Sequence, residues 1–103
     1  AYCDSAIEDS SIRNTWFAGV DLDQAPSVVF AAANRSQFIT PLIDKLLPLN
    51  IASQPEKNAV STEIDALITR LSICDNSCES DRSRTIAKAS CTVILASAVA
   101  LVQ

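Results

Sequence analysis

Hydrophobic positions recur at helical spacings along most of the chain and condense toward its end. From Thr85 to Val102 the sequence reads TIAKASCTVILASAVALV. Beyond Cys91 a helix made of it carries apolar or small residues on every side. Such a helix is either sheathed by other helices or placed in lipid, so the preceding chain reads as its wrapping.

Ser5-Ala6-Ile7-Glu8 has the form of a capping box, and Asp9 adds charge where the helix dipole welcomes it, which predicts a first helix over 6–18. Ile12, Trp16 and Val20 follow at spacings of four and mark its inner face. Trp16 is the expected core anchor, and Gly19 suits the position just past the helix. Asp21 to Pro26 reads as a connector whose carboxylates serve helix capping, because calcium needs about six or more oxygens and none are nearby. Ser27 then opens a second helix over 27–39, with Val29, Phe30, Ala33 and Phe38 inward. It is expected to stop before Thr40-Pro41, where a hydroxyl N-cap followed by Pro starts a short third helix. Leu42, Ile43, Leu46 and Leu47 stripe that helix, and Pro48 ends it.

Ser53-Gln54-Pro55-Glu56 is a second capping box, with Pro in the first turn where a missing N–H costs nothing. Val60, Ile64, Leu67, Leu71, Cys74 and Cys78 then step by four, three, four, three and four, one packed seam, with Asp65, Arg70 and Ser72 facing water. The polar run from Asp75 to Arg84 reads as a solvated turn with an N-cap at Ser80 or Ser83. It lacks the glycine of a calcium loop, and Ile86 stands where the bidentate glutamate would be. The expected fold is an all-α, disulfide-stapled bundle of about five helices around the hydrophobic C-terminal helix. Residues 1–103 are expected to form a single helical domain.

Composition sharpens this picture. Hydrophobic residues make up 49% of the chain and aromatic ones 5%, so the core is aliphatic, and a single Gly argues against the many tight turns of an all-β fold. Four cysteines, at 3, 74, 78 and 91, form an even set of the kind that staples small secreted domains, which places the chain outside the cell. The start, Ala1-Tyr2-Cys3, fits a mature chain whose signal peptide has been removed. Zinc is not expected: there is no His, and Cys74 and Cys78 form CxxxC rather than CxxC. If the last helix begins near residue 83, Cys91 lies about 12 Å along it, away from the turn carrying Cys74 and Cys78. That favours Cys3 with Cys91 and Cys74 with Cys78. The other pairings stay open, because the turn can fold back along the helix.

The net charge of −4, with basic residues scattered, weighs against nucleic acid or an anionic membrane as partner. Without histidine the chain lacks the usual general base, and with one Gly it has no phosphate loop, so neither catalysis nor a cofactor is expected. The carboxylate pairs Glu8/Asp9 and Glu79/Asp81 are explained by helix starts. Asn34-Arg35-Ser36 matches the N-glycosylation acceptor pattern, but placed inside the second helix it is expected to stay unmodified.

Three classes of function remain. A secreted interaction or self-assembly protein, homo-oligomeric or bound to another chain, would use small residues such as Ala87, Ala96 and Ala100 for close helix contact. An extracellular carrier of a fatty or aromatic molecule would line a pocket with Trp16, Phe30, Phe38 and Leu46. A membrane-active toxin of the killer type would release its C-terminal helix into lipid. Interaction ranks first and the toxin last. Lys88 interrupts the terminal segment, and its uninterrupted part, Thr92 to Val102, spans about 17 Å against a hydrocarbon core of about 30 Å. That helix is expected to stay within protein, with the hydroxyls of Ser90 and Ser97 bonded back to carbonyls four residues earlier.

Overall fold

The first helical turns show how short this chain's local signals reach. In the computed structural model, which describes residues 2–17, 19–31, 33–47, 53–74, 79 and 81–102, six helices follow one another. Side chains are described for all of these except Gln54 and residues 99–102. The helices are α1 (Tyr2–Glu8), α2 (Ser10–Trp16), α3 (Pro26–Val29), α4 (Arg35–Leu46), α5 (Gln54–Leu71) and α6 (Arg82–Val102). No strand occurs among the described residues, and the fold is the expected all-α bundle.

The helix expected over 6–18 is in fact two. The chain is already helical at Tyr2, so Ser5 lies inside α1, where Cys3, Ala6 and Ile7 share the buried face. Asp9 then takes an extended backbone (φ −80°, ψ 113°), and its Oδ1 accepts the N–H groups of Ser11 and Ile12 at 2.9 and 3.2 Å, capping α2. The Arg13 guanidinium donates back to the Ile7 carbonyl at 3.0 Å, satisfying an acceptor that the end of α1 would leave bare. This break changes which residues face inward. Phe17, leaving α2 at its C-cap, is buried in the core. Ile12, Trp16 and Val20 lie half-buried instead. Gly19 supplies the positive φ (+85°) of the following turn.

The next two helices also divide elsewhere than expected. Pro26 occupies the first position of α3, a single turn that ends at Val29. Neither Asp21 nor Asp23 caps it: the Asp21 carboxylate accepts the Asp23 N–H at 2.9 Å, closing the connector as a turn. The chain then re-enters a helix at Arg35 and runs through Thr40-Pro41 without stopping. Burial explains both outcomes. In a continuous helix Phe30 and Phe38 would stand about 12 Å apart along the axis. The turn between α3 and α4 brings their rings to 5.2 Å, edge to face, with Phe17 closing on Phe38 at 4.9 Å. Phe38, Ile39, Leu42, Ile43 and Leu46 form one buried stripe spanning Pro41. Keeping that stripe in register outweighs the one backbone hydrogen bond the proline removes.

The start of α5 is as its sequence implies. Ser53 accepts the Glu56 N–H, the Glu56 carboxylate accepts the Ser53 N–H at 3.0 Å, and Pro55 sits in the first turn. Its buried seam is Val60, Ile64 and Ile68, with Leu67 and Leu71 flanking it half-buried. The helix ends at Leu71, so Cys74 lies past the seam and Cys78 lies outside the described residues. Arg35 binds α4 to α5: its guanidinium donates to the Phe30 carbonyl (2.8 Å), the Asp65 carboxylate (3.2 Å) and the Thr69 hydroxyl (2.6 Å).

Helix α6 packs against α1, α3, α4 and α5, and is the centre of the bundle. Ser83, Ile86, Ala87, Ser90, Cys91 and Ile94 are its buried stripe. Ser83 does not cap α6; its hydroxyl donates to the Gln24 carbonyl, tying the connector down. Ser80, the alternative cap, lies outside the described residues. Ser90 and Ser97 do bond back, to Ile86 and Val93 at 2.9 and 3.1 Å. The wrapping is incomplete: Thr85, Thr92 and Ala96 remain exposed. At 3.6 residues per turn these three fall within about 40° of one another, so α6 keeps one open stripe.

Candidate functional site

Cys3 on α1 and Cys91 on α6 form a disulfide with Cα atoms 5.8 Å apart, the pairing expected from the rise along the last helix. Both are buried. Cys74 is disulfide-bonded as well, and its expected partner Cys78 lies outside the described residues. No free thiol occurs among the described residues.

A cluster of charges reinforces the same junction. Glu8 is the last residue of α1, whose dipole opposes its carboxylate, while the helix start that follows is capped by Asp9. Two cations from α6 compensate: Lys88 Nζ lies 2.7 Å from Glu8 Oε1, and Arg84 Nη1 lies 3.2 Å from Oε2. Arg84 Nε reaches Asp23 of the connector at 3.6 Å. The Lys88 hydrogen bond, and the charges of Lys88, Arg84 and Arg13 behind it, hold the Glu8 carboxyl below its ordinary value of 4.5 against some desolvation.

A depressed carboxylate favours the fold above its ordinary pKa and loses that contribution as pH falls through its folded value. Thermal melts of the wild type and Glu8→Gln should therefore differ most at pH 7, with the difference shrinking as pH falls below the ordinary carboxyl value of 4.5. A difference that does not shrink with falling pH would show that the ion pairs are not its source.

The residues singled out for ligand or partner contact separate into two groups. Phe30, Phe38 and Leu46 belong to the buried core, and the rings of Phe30 and Phe38 fill the space between α3 and α4 themselves. Trp16 packs half-buried against the edge of that core, with Tyr2 on one side (ring centroids 6.0 Å) and Phe17 on the other (6.1 Å). The four carrier residues are thus buried packing elements in three cases and a half-buried edge ring in the fourth. Phe17, which joins the groups, was missed because only the break at Asp9 turns it inward.

The interaction residues separate likewise. Ala87 is wholly buried, so its smallness serves helix approach within the chain and is closed to a partner. Ala96 lies on the open stripe of α6 with Thr92 and Thr85, whose hydroxyls bond back to Lys88 and Asp81 (2.9 and 3.2 Å) and so present mainly their methyl groups. The side chain of Ala100 lies outside the described residues.

Among the described residues no group of acidic or cysteine side chains could hold a metal ion, and no helix is long and apolar enough to cross a membrane. Compared with known proteins, the chain matches no family model, no curated protein and no solved structure.

Proposed function

We propose that this chain is a non-catalytic extracellular interaction protein, associating through the open stripe of α6 with a second copy of itself or with a helix of another chain. The observation that carries this reading is the uncovered stripe of α6, the most apolar of the three long helices. Thr85, Thr92 and Ala96 are small and self-satisfied in hydrogen bonding, so a second helix can approach closely without stranding a polar group. The exposed Tyr2, adjacent to Cys3 and tilted against Trp16, adds a ring of the kind that interfaces favour. The Cys3–Cys91 disulfide supports the extracellular part, since such bonds persist in oxidising compartments.

Sedimentation over a range of concentrations tests self-association, and a photo-crosslinker at position 96, against one at position 62 on α5, tests for another chain in the fluid where the protein is made. Expected is concentration-dependent association, or an adduct specific to position 96, abolished by Ala96→Arg with the melting temperature unchanged. A monomer at every concentration whose position 96 crosslinks no more than position 62 would overturn the reading.

A further inference from the structure

The acceptor triplet Asn34-Arg35-Ser36 is the single Asn-x-Ser/Thr pattern in the sequence, and the structure places its asparagine just ahead of α4, with Arg35 and Ser36 opening that helix. Asn34 is the exposed residue before α4, in a turn closed by its own N–H on the Ala31 carbonyl at 2.7 Å. Turns at the surface are where an N-linked sugar can be carried without disturbing packing. We propose that Asn34 is an N-glycosylation site, modified by an oligosaccharide whose reducing end is an N-acetylhexosamine.

The reaction precedes the fold. In transfer, Asn34 Nδ2 forms a bond to the anomeric carbon of a lipid-pyrophosphate-linked oligosaccharide. The bond from that carbon to the phosphate oxygen breaks, the lipid pyrophosphate leaves with the electron pair, and Nδ2 gives one proton to the transferase. This happens on the emerging chain, before α4 forms, so the folded protein has only to accommodate the product. Three features let it do so.

Asn34 Nδ2 donates one hydrogen bond, to the Val28 carbonyl at 3.1 Å. A primary amide carries two protons and a glycosylated one keeps the second, so the modified nitrogen still has a proton to donate to the Val28 carbonyl. A shallow cleft of about 240 Å³ opens beside the side chain, lined by Val20, Asp21, Gln24, Val28 and Gln37. It offers polar partners for sugar hydroxyls. Val28 is 54% exposed there, an apolar side chain that the face of the first sugar would cover.

The proposal rests on the extracellular reading only for its compartment: the sugar transfer takes place in the secretory lumen of a eukaryotic cell, an oxidising compartment in which a bond such as Cys3–Cys91 persists. The test therefore forces translocation. The full chain is translated behind a cleavable leader with endoplasmic-reticulum microsomes, as wild type, Asn34→Gln, Ser36→Ala and Ser36→Thr. Intact mass is then read before and after endoglycosidase treatment.

Wild type and Ser36→Thr should each gain one oligosaccharide that the enzyme removes, while Asn34→Gln and Ser36→Ala gain none. Non-reducing peptide mapping of the glycosylated wild type should still find residues 3 and 91 joined. Protease-protected wild type at its bare mass, or a glycoform that cannot form the disulfide, would overturn the proposal. Failure of the α6 interface shows instead in sedimentation and crosslinking, which this experiment does not touch.

Discussion

Replacing Cys3 and Cys91 together by alanine should lower the unfolding free energy by about 4 kcal/mol, because the bond closes a loop between residues 88 apart in sequence. A domain of this size is typically stable by about 5–15 kcal/mol, so the variant would lose a large share of its margin. The effect acts mainly on the unfolded chain, whose ends gain freedom once the crosslink is gone. A smaller part comes from the folded side, since both sulfur atoms are buried where α1 meets α6 and alanine leaves space behind. Urea unfolding of the double variant, with Cys74 and Cys78 left intact, measures the sum. A loss below about 1 kcal/mol would mean that the packing of Ile7 and the pairing of Glu8 with Lys88 hold α1 in place without the bond.

Phe38→Ala should cost about 3–5 kcal/mol, the range for deleting a buried ring from a well-packed core. Phe38 is fully buried and meets Phe17 from the α2 corner and Phe30 from the end of α3. It is therefore the side chain through which three helices share one contact. Trp16→Ala removes a larger ring but from a half-buried site, and should cost less than Phe38→Ala. Urea unfolding of both variants decides the order, with an unchanged denaturant slope as the check that each still folds in two states. If Trp16→Ala were the costlier change, the tryptophan and not the phenylalanine pair would be the anchor of this corner.

The proposed interface and the proposed sugar fall at different places on the fold. Association would use the open stripe of α6, at Thr85, Thr92 and Ala96, whereas the sugar would stand on the turn between α3 and α4. Ala96→Arg and Asn34→Gln are both exposed substitutions, so each can remove one property while leaving the packed core as it is.

What could be read from the chain alone depended on how far apart the deciding groups lie. The capping box at Ser53 and Glu56 was legible because its two partners are three residues apart and owe nothing to the rest of the fold. The back-bonded hydroxyls of Ser90 and Ser97 were legible for the same reason. The Cys3–Cys91 pairing was legible only as the favoured one: the rise of one helix carries Cys91 away from the turn, and the packing of α1 on α6 decided it. The centrality of α6 followed from an apolar composition that leaves a helix no stable place in water unless it is covered.

Where local and distant effects competed, only the tertiary structure decided. Pro41 signals a helix end at a cost of about 3 kcal/mol. Five buried side chains on either side of it, at about 1.5–3 kcal/mol each, keep α4 continuous once a core exists to receive them. Ala31 and Ala33 favour helix by propensity, yet neither is helical, and Phe30 reaches Phe38. Glu8 looked like part of a helix start, and its place at a helix end became tolerable through Arg84 and Lys88, far along the chain. The open stripe of α6 had no sequence signal at all. Thr85, Thr92 and Ala96 are no more polar than the small residues on the helix's covered sides, and which side meets water is set by where α1, α3, α4 and α5 come to rest.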